Sequence, residues 1–184
     1  MKVIETPIPG LYVFEPKVFE DSRGYFFESF SKKVLKEAGY DVDFVQDNES
    51  MSHKGVMRGL HLQRPPFTQG KLVRVVSGSV LDVVVDLRVG SPTFGKHHKQ
   101  LLDTIEKKVM YVPHGFAHGF ATLEDYTVFQ YKCTNYYNKE SEDAVNLLDQ
   151  ALEIEWPFDN PILSEKDLKA KPLADFISPF EYAK

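Results

Sequence analysis

The sequence predicts an all-β dominated fold, a sandwich or barrel of short strands with a few short peripheral helices. Its central region contains several short segments rich in Val, Tyr and Phe, separated by turn residues such as Gly, Pro and Asp. Their close spacing leaves no room for the helices of βαβ units. The 14 Phe and 9 Tyr of the chain suit a β-rich core, although a few could instead stack on a ring-shaped ligand.

Four segments of the central region are predicted strands, at residues 71–76, 79–87, 108–112 and 126–133. Turn residues separate them at positions 77–78, 90–92 and 124–125. A short helix is predicted before them at residues 32–38, capped by Ser31 and ended by Gly39. The tail from about Leu147 is rich in proline and is expected to form short helical turns and loops over the barrel.

Composition indicates one domain, over residues 1–184, of an ordinary globular protein. A formal net charge of −5 argues against a general nucleic-acid surface. Cys133 is the single cysteine, so no intrachain disulfide can form, which suits a reducing cytoplasm. The N-terminal residues lack the apolar run of a signal peptide, and no stretch has transmembrane length. We therefore expect a cytoplasmic protein that binds neither nucleic acid nor membrane.

Two histidine motifs, RGLHLQ at 58–63 and PHGFAHGF at 113–120, are similar to the ligand motifs of metal-binding barrels of the cupin type. Such a barrel would have a second histidine at Gln63 and an acidic ligand near Lys71. Divalent cations need three or four neutral or anionic donors, and a lysine repels them. The pattern therefore predicts no metal site. It suits the removal of a proton beside a carbonyl, with a fixed positive charge to hold the enolate.

His61 is the candidate general base, since imidazole titrates near neutrality. A lone histidine in a β-rich core is more often structural, but the flanking Arg58 and Gln63 and the second histidine motif favour a functional role. Lys71 begins a strand whose two faces are otherwise almost apolar. It is either solvated or directed into the interior, where its charge would stabilise an oxyanion.

Two further residues each have a structural and a catalytic interpretation. Tyr131 shares the apolar face of its strand, so it is either a core tyrosine or a proton donor that faces the base across the substrate. Asp167 follows Ser164 by three residues, an arrangement similar to a helix capping box. Alternatively, its carboxylate orients His61 and stabilises the imidazolium.

Candidate binding residues lie in RGYFFE at 23–28 and QDN at 46–48. Gln46 and Asn48 have the same parity on an extended chain, so both amides can reach one cavity. Arg23 and Arg58 could each bind phosphate oxygens through two parallel hydrogen bonds. Surface arginines and capping asparagines are common, so none of these segments is specific alone.

Together the segments resemble the dTDP-4-dehydrorhamnose 3,5-epimerase family over most of the chain, from about Pro9 to Asp167. The resemblance rests on RGYFFE at 23–28, FVQDN at 44–48, RGLHLQ at 58–63, QGKLVR at 69–74, SPTFG at 91–95, VPHGFAHGF at 112–120, YKCTNYY at 131–137, WP at 156–157 and LSEKD at 163–167. The number and order of these motifs argue against a chance match.

The resemblance implies a cupin-like double-stranded β-helix, or jelly roll, that forms a homodimer and uses no metal or organic cofactor. It also implies a reaction, the inversion of C3 and C5 of dTDP-4-dehydro-6-deoxy-D-glucose through enolate intermediates. The product would be dTDP-4-dehydro-L-rhamnose, on the path to dTDP-L-rhamnose.

The resemblance also implies residue roles. The family's base falls on His61, its orienting carboxylate on Asp167, its enolate stabiliser on Lys71 and its acid on Tyr131. The implied substrate-binding residues are Arg23, Phe26, Glu28, Gln46, Asn48, Arg58, Asp82, His118 and Tyr136. Of these, Asp82 is expected to act through a neighbour, and the segment 23–28 is expected to complete the site of the neighbouring subunit.

Three other functions remain as alternatives. A metal-dependent cupin enzyme would hold iron, manganese or zinc, against which Gln63 and Lys71 argue. A non-catalytic sugar-nucleotide binding protein would leave the substrate C3 and C5 protons in place. A relative that inverts one centre only, or acts on another nucleotide sugar, would differ in the shape of its pocket.

Overall fold

The computed structural model describes residues 1–183. Within them the chain forms thirteen strands and two short α-helices. The strands are β1 (Lys2–Glu5), β2 (Tyr12–Glu15), β3 (Val18–Asp21), β4 (Gly24–Phe27), β5 (Gln46–Ser52), β6 (Met57–Gln63), β7 (Lys71–Ser77), β8 (Ser79–Asp86), β9 (His97–Asp103), β10 (Val109–Val112), β11 (Phe116–Thr122), β12 (Thr127–Cys133) and β13 (Glu142–Ala144). The helices are α1 (Lys32–Glu37) and α2 (Glu165–Leu168), with 3₁₀ turns at Gln150–Leu152 and Leu173–Asp175.

The strands form two antiparallel sheets that face each other. One has the order β1-β2-β10-β7-β12-β5 and the other the order β13-β6-β11-β8-β9, while β3 and β4 form a separate hairpin. The interior is filled from both sheets by side chains such as Val73, Val84, Phe120 and Phe129. This architecture confirms the all-β prediction and the cupin-like jelly roll.

The outer face of each sheet is also covered. Val83 and Val85 of β8 pack against tail residues Leu152 and Phe176. Strand β8 is therefore buried on both faces, which explains why its sequence is a nearly continuous apolar run. The tail forms short helical turns over the barrel, as predicted. None of the helices within residues 1–183 has the length and apolarity that crossing a bilayer requires.

The four predicted strands correspond to β7, β8, β10 and β12, with ends that differ by one residue at most. The predicted helix forms at Lys32–Glu37, but the expected capping by Ser31 is wrong. Ser31 occupies the N-cap position without a side-chain hydrogen bond to the helix. Helix α1 is held instead by burial of Leu35 against Phe14 and Tyr111 on the outer face of the six-stranded sheet.

Candidate active site

A polar cleft lies between the two sheets. One part has a volume of about 390 Å³ and an adjoining part about 240 Å³. Glu49, His61, Lys71 and Tyr131 line both parts, so they form one continuous cleft. His61 comes from the five-stranded sheet, whereas Lys71 and Tyr131 come from the six-stranded sheet that faces it.

His61 is held by a buried carboxylate from the tail. Its Nε2 lies 2.6 Å from Oδ1 of Asp167, which is only 3% exposed. The hydroxyl of Ser164 donates to Oδ2 of Asp167 at 2.7 Å and accepts from the Asp167 backbone N–H at 3.1 Å. Burial raises the pKa of Asp167, but the hydrogen bonds with His61 and Ser164 outweigh it and hold the pKa below the ordinary value. Asp167 therefore serves both the helix cap and the imidazole.

A β-bulge brings two candidate residues of β6 to the same wall. His61 pairs with His118 of β11, and Arg58 pairs with Phe120. Between these pairs β6 has two residues where β11 has only Gly119. Side chains three positions apart on a regular strand face opposite sides. Because of the extra residue, Arg58 and His61 both line the cleft.

Lys71 and Tyr131 form the opposite wall. The Nζ of Lys71 lies 3.5 Å from the backbone carbonyl oxygen of His61 and 5.9 Å from the centre of the Tyr131 ring. Burial lowers the pKa of Lys71, against the influence of nearby Cys133 and acidic groups. Burial also raises the pKa of Tyr131, so its phenol is a weak acid that stays protonated at neutral pH.

A chain of side-chain amides runs behind Tyr131. The Tyr137 backbone N–H donates to Oε1 of Gln46 at 2.9 Å, and Nε2 of Gln46 donates to Oδ1 of Asn48 at 2.9 Å. A hydrogen bond from Asn48 lowers the pKa of Tyr131 and partly offsets burial. Both amides line the cleft, as their shared parity predicted.

A second histidine and carboxylate pair lies deeper in the cleft. The Nε2 of His118 lies 3.0 and 2.9 Å from the two carboxylate oxygens of Asp82, which is 0% exposed. The His118 ring stacks on Phe129, with ring centres 6.1 Å apart. His118 lines the cleft, and Asp82 reaches it only through His118.

The structure does not place every candidate at this cleft. Arg23, Phe26 and Glu28 lie on or beside the β3–β4 hairpin, and the first two line a separate groove of about 500 Å³. Phe26 is 71% exposed. Tyr136 is 62% exposed, and within residues 1–183 only its backbone is hydrogen-bonded: the N–H donates to Oδ1 of Asn135 at 2.9 Å, and the carbonyl accepts from Nε2 of Gln63 at 3.1 Å.

The sequence analysis missed several residues of the cleft wall, among them Tyr137, Glu142 and Glu49, which lines both parts of the cleft. Tyr137 lines the cleft where Tyr136 was expected, and its hydroxyl donates to Oε2 of Glu142 at 3.1 Å. Glu142 also lines the cleft and forms an ion pair with Lys166. The adjacent tyrosines of YKCTNYY were the available signal for Tyr137. Glu142 lies on a three-residue strand outside any motif, so nothing in the sequence marked it.

Metal ligation has little support from the side chains present. Within residues 1–183 no group of three or more His, Cys, Asp and Glu side chains could hold a metal ion. His61 and His118 each use a ring nitrogen to bond a carboxylate. What the cleft does provide is a base, a weak acid and a cation around one space.

Comparison with known proteins gives consistent matches. A sequence model described as dTDP-4-dehydrorhamnose 3,5-epimerase matches residues 5–175. The dTDP-4-dehydrorhamnose 3,5-epimerase of Shigella flexneri is 52% identical over 176 residues, covering 95% of this chain and 97% of that protein. The structure is similar to a Legionella pneumophila dTDP-6-deoxy-D-glucose-3,5-epimerase in complex with dTDP-4-keto-L-rhamnose, with a TM-score of 0.94, 46% identity and 99% of each chain covered. A 3'-monoepimerase from Streptomyces bikiniensis in complex with dTDP-quinovose gives a TM-score of 0.87, with 38% identity, 92% of this chain and 86% of that chain covered.

Proposed function

This chain belongs to the dTDP-4-dehydrorhamnose 3,5-epimerase family, and we propose that its cleft inverts C3 and C5 of dTDP-4-dehydro-6-deoxy-D-glucose. The product is dTDP-4-dehydro-L-rhamnose, for dTDP-L-rhamnose biosynthesis. The observation that carries the proposal is the position of His61 and Tyr131 on facing sheets, with Lys71 beside both. This arrangement provides a base on one side of the sugar and an acid on the other.

The chemistry uses one carbonyl for both centres. The C–H bonds at C3 and C5 are acidic because each flanks the C4 ketone. His61 takes the proton from one face of the ring, and the electron pair moves into the carbonyl to form an enolate. Tyr131 returns a proton to the same carbon from the opposite face, which inverts it. The two steps leave the oxidation state unchanged.

Two groups support these proton transfers. The ammonium of Lys71 stabilises the enolate oxygen, assisted by His118, whose orientation Asp82 fixes. Asp167 holds His61 in one orientation and stabilises the imidazolium that forms.

We assign binding to the polar residues around this centre. Gln46, Asn48 and Arg58 line the cleft and can bind the sugar and the diphosphate. The contact expected of Tyr136 is assigned to Tyr137, because Tyr137 lines the cleft and Tyr136 does not. Its ring is suited to stacking on a flat base.

We also propose a cytoplasmic homodimer in which the hairpin completes the partner's cleft. Arg23, Phe26 and Glu28 lie away from the cleft of their own chain. Phe19, Tyr25 and Phe26 are all exposed along one groove of the hairpin, and a contiguous apolar surface of this kind favours contact with another surface. The sharpest test mixes two variants that are each expected to be inactive, His61→Ala and Arg23→Ala. In a mixed dimer, one cleft combines native His61 from one subunit with native Arg23 from the hairpin of the other, so activity should return. Activity that stays absent after subunit exchange would overturn the shared site.

The reaction is tested by proton NMR of the 4-keto sugar nucleotide with enzyme in deuterium oxide. Loss of both the C3 and C5 proton signals, together with formation of the L-rhamno product, is expected. Exchange at one centre alone would establish the single-centre alternative, which the similarity to a 3'-monoepimerase keeps open. Binding without exchange at either centre would show a sugar-nucleotide binding protein.

A further inference from the structure

The β3–β4 hairpin is joined to the rest of the chain by few interactions. It is a two-stranded sheet that is not hydrogen-bonded to either large sheet. Such hairpins are only marginally stable alone. Tyr25 is 58% exposed and its neighbour Phe26 is exposed further. The orientation of the hairpin therefore depends on individual side-chain contacts.

One contact comes from the loop between β9 and β10. The Nζ of Lys107 lies 3.9 Å from the centre of the Tyr25 ring and 6.0 Å from that of Phe27. A cation within about 6 Å of a ring centre is attracted to the ring face. The two rings belong to one face of β4 because they are two residues apart.

The loop itself is held in a fixed shape. The carboxylate of Asp103 accepts from the backbone N–H groups of Ile105 at 2.9 Å and Glu106 at 2.7 Å. Lys107 has a left-handed backbone with φ of 53°, and its ammonium also donates to the carbonyl of Thr104. The ammonium is thus presented to the hairpin by a rigid support, which reduces the entropy cost of the contact.

The contact leaves the binding residues of the hairpin free. Strand alternation places Phe26 on the face of β4 opposite Tyr25 and Phe27. We propose that Lys107 is a positioning residue that sets the angle at which the hairpin leaves its own barrel. That angle decides where Arg23 and Phe26 arrive in the partner's cleft, so the inference rests on the proposed shared site.

The kinetic test compares three variants of the full chain with the 4-keto sugar nucleotide as substrate. Lys107→Met removes the cation and keeps most of the stem, and we expect KM to rise about two- to five-fold with kcat unchanged. Lys107→Arg keeps a cation that stacks on rings and restores KM. Lys108→Met is the matched control. The native Lys108 ammonium pairs with Glu106 at 2.9 Å and not with the hairpin, so this variant should leave KM unchanged.

Tyr25→Leu provides the second side of a double-mutant cycle. It should raise KM as much as Lys107→Met, and combining the two should add nothing further. Fully additive effects, an unchanged KM in Lys107→Met, or an equal rise in Lys108→Met would each overturn the proposal. If Lys107→Met does not fold, Lys107→Gln, which also removes the cation, takes its place in the cycle.

A measurement without substrate separates this inference from the proposed function. Brief trypsin treatment followed by mass spectrometry gives the rate of cleavage after Arg23, within the hairpin. Loss of the contact should raise that rate about two- to five-fold in Lys107→Met and not in Lys107→Arg. An enzyme without epimerase activity would refute the proposed function, whereas equal cleavage rates would refute the anchoring by Lys107.

Discussion

The imidazole of His61 on strand β6 is hydrogen-bonded at 2.6 Å to Asp167 in the first turn of helix α2. This bond joins the barrel to the tail. We expect Asp167→Asn to lower kcat by about 10²- to 10⁴-fold, because the amide no longer stabilises the imidazolium. The control Ser164→Ala removes the cap and should cost about 1 kcal/mol of unfolding free energy, with a much smaller loss of kcat. Near-normal turnover in Asp167→Asn would contradict the role of this carboxylate.

The same carboxylate should contribute to acid sensitivity. The pKa of Asp167 in the folded chain lies below the ordinary 3.8, so its stabilising effect is present above pH 3.8 and is lost as pH falls through the folded pKa. The difference in unfolding free energy between the native chain and Asp167→Asn should therefore narrow from pH 6 to pH 3 in urea titrations. The exposed Asp159→Asn serves as control, and a constant difference for Asp167→Asn would contradict the prediction.

Variants of Tyr131 and His61 should distinguish deuterium exchange at C3 and C5 from inversion of these centres. Tyr131→Phe keeps His61, so we expect deuterium to enter the substrate without inversion and product formation to fall by about 10²-fold or more. His61→Ala should lose both exchange and inversion. Proton NMR in deuterium oxide measures both quantities in one sample. Normal inversion by a folded Tyr131→Phe variant would remove this phenol from the mechanism.

The buried charge of Lys71 should lower the free energy of unfolding while it increases kcat. Its pKa is lowered by burial, so the folded chain holds a charge at an energetic cost. Lys71→Met should raise the unfolding free energy below the lowered pKa of Lys71, and the gain should vanish as pH approaches 10.5. The variant should lose about 10²- to 10³-fold in kcat, with little change in dTDP affinity measured by calorimetry.

Lys132→Met is the control, because this lysine pairs with Asp47 at 2.9 Å on the adjacent strand. It should change neither stability nor kcat appreciably. A selective loss of dTDP affinity in Lys71→Met would instead assign Lys71 to the phosphates.

The bulge beside His61 should tolerate no side chain at Gly119. A Cβ there would lie 2.5 Å from the carbonyl oxygen of Arg58 and 2.9 Å from Cα of Gly59, both backbone atoms. We expect Gly119→Ala to cost about 1–3 kcal/mol by denaturant unfolding and to lower kcat, because strand β6 must shift. A Cβ at Gly90 would meet nothing within 4 Å, although its φ of 82° is left-handed, so Gly90→Ala should cost about 1–2 kcal/mol of unfolding free energy and leave kcat unchanged. Equal kcat values for the two variants would contradict the argument.

The fold class and the central residues could be predicted from the sequence because they have local signals. Apolar strand segments broken by turn residues gave the strands, and motif resemblance selected His61, Lys71, Tyr131 and Asp167. Sequence left two interpretations open for Asp167, and the structure shows that one carboxylate serves the cap and the imidazole together.

Features that depend on long-range geometry could not be predicted. Arg58 and His61 are three positions apart, so strand periodicity alone would place their side chains on opposite faces of β6. The register shift opposite Gly119 brings both side chains to the same face. Tyr136 and Tyr137 are adjacent and chemically equal in the sequence. The backbone path after β12 decides which ring faces the cleft.

Because Asp167 follows every barrel strand in the chain, the ribosome completes the whole barrel before it supplies the partner of His61. A polypeptide that stops before residue 167 lacks the carboxylate that holds His61. With the proposed roles of His61 and Asp167, full proton abstraction therefore requires that the tail has been made and has docked.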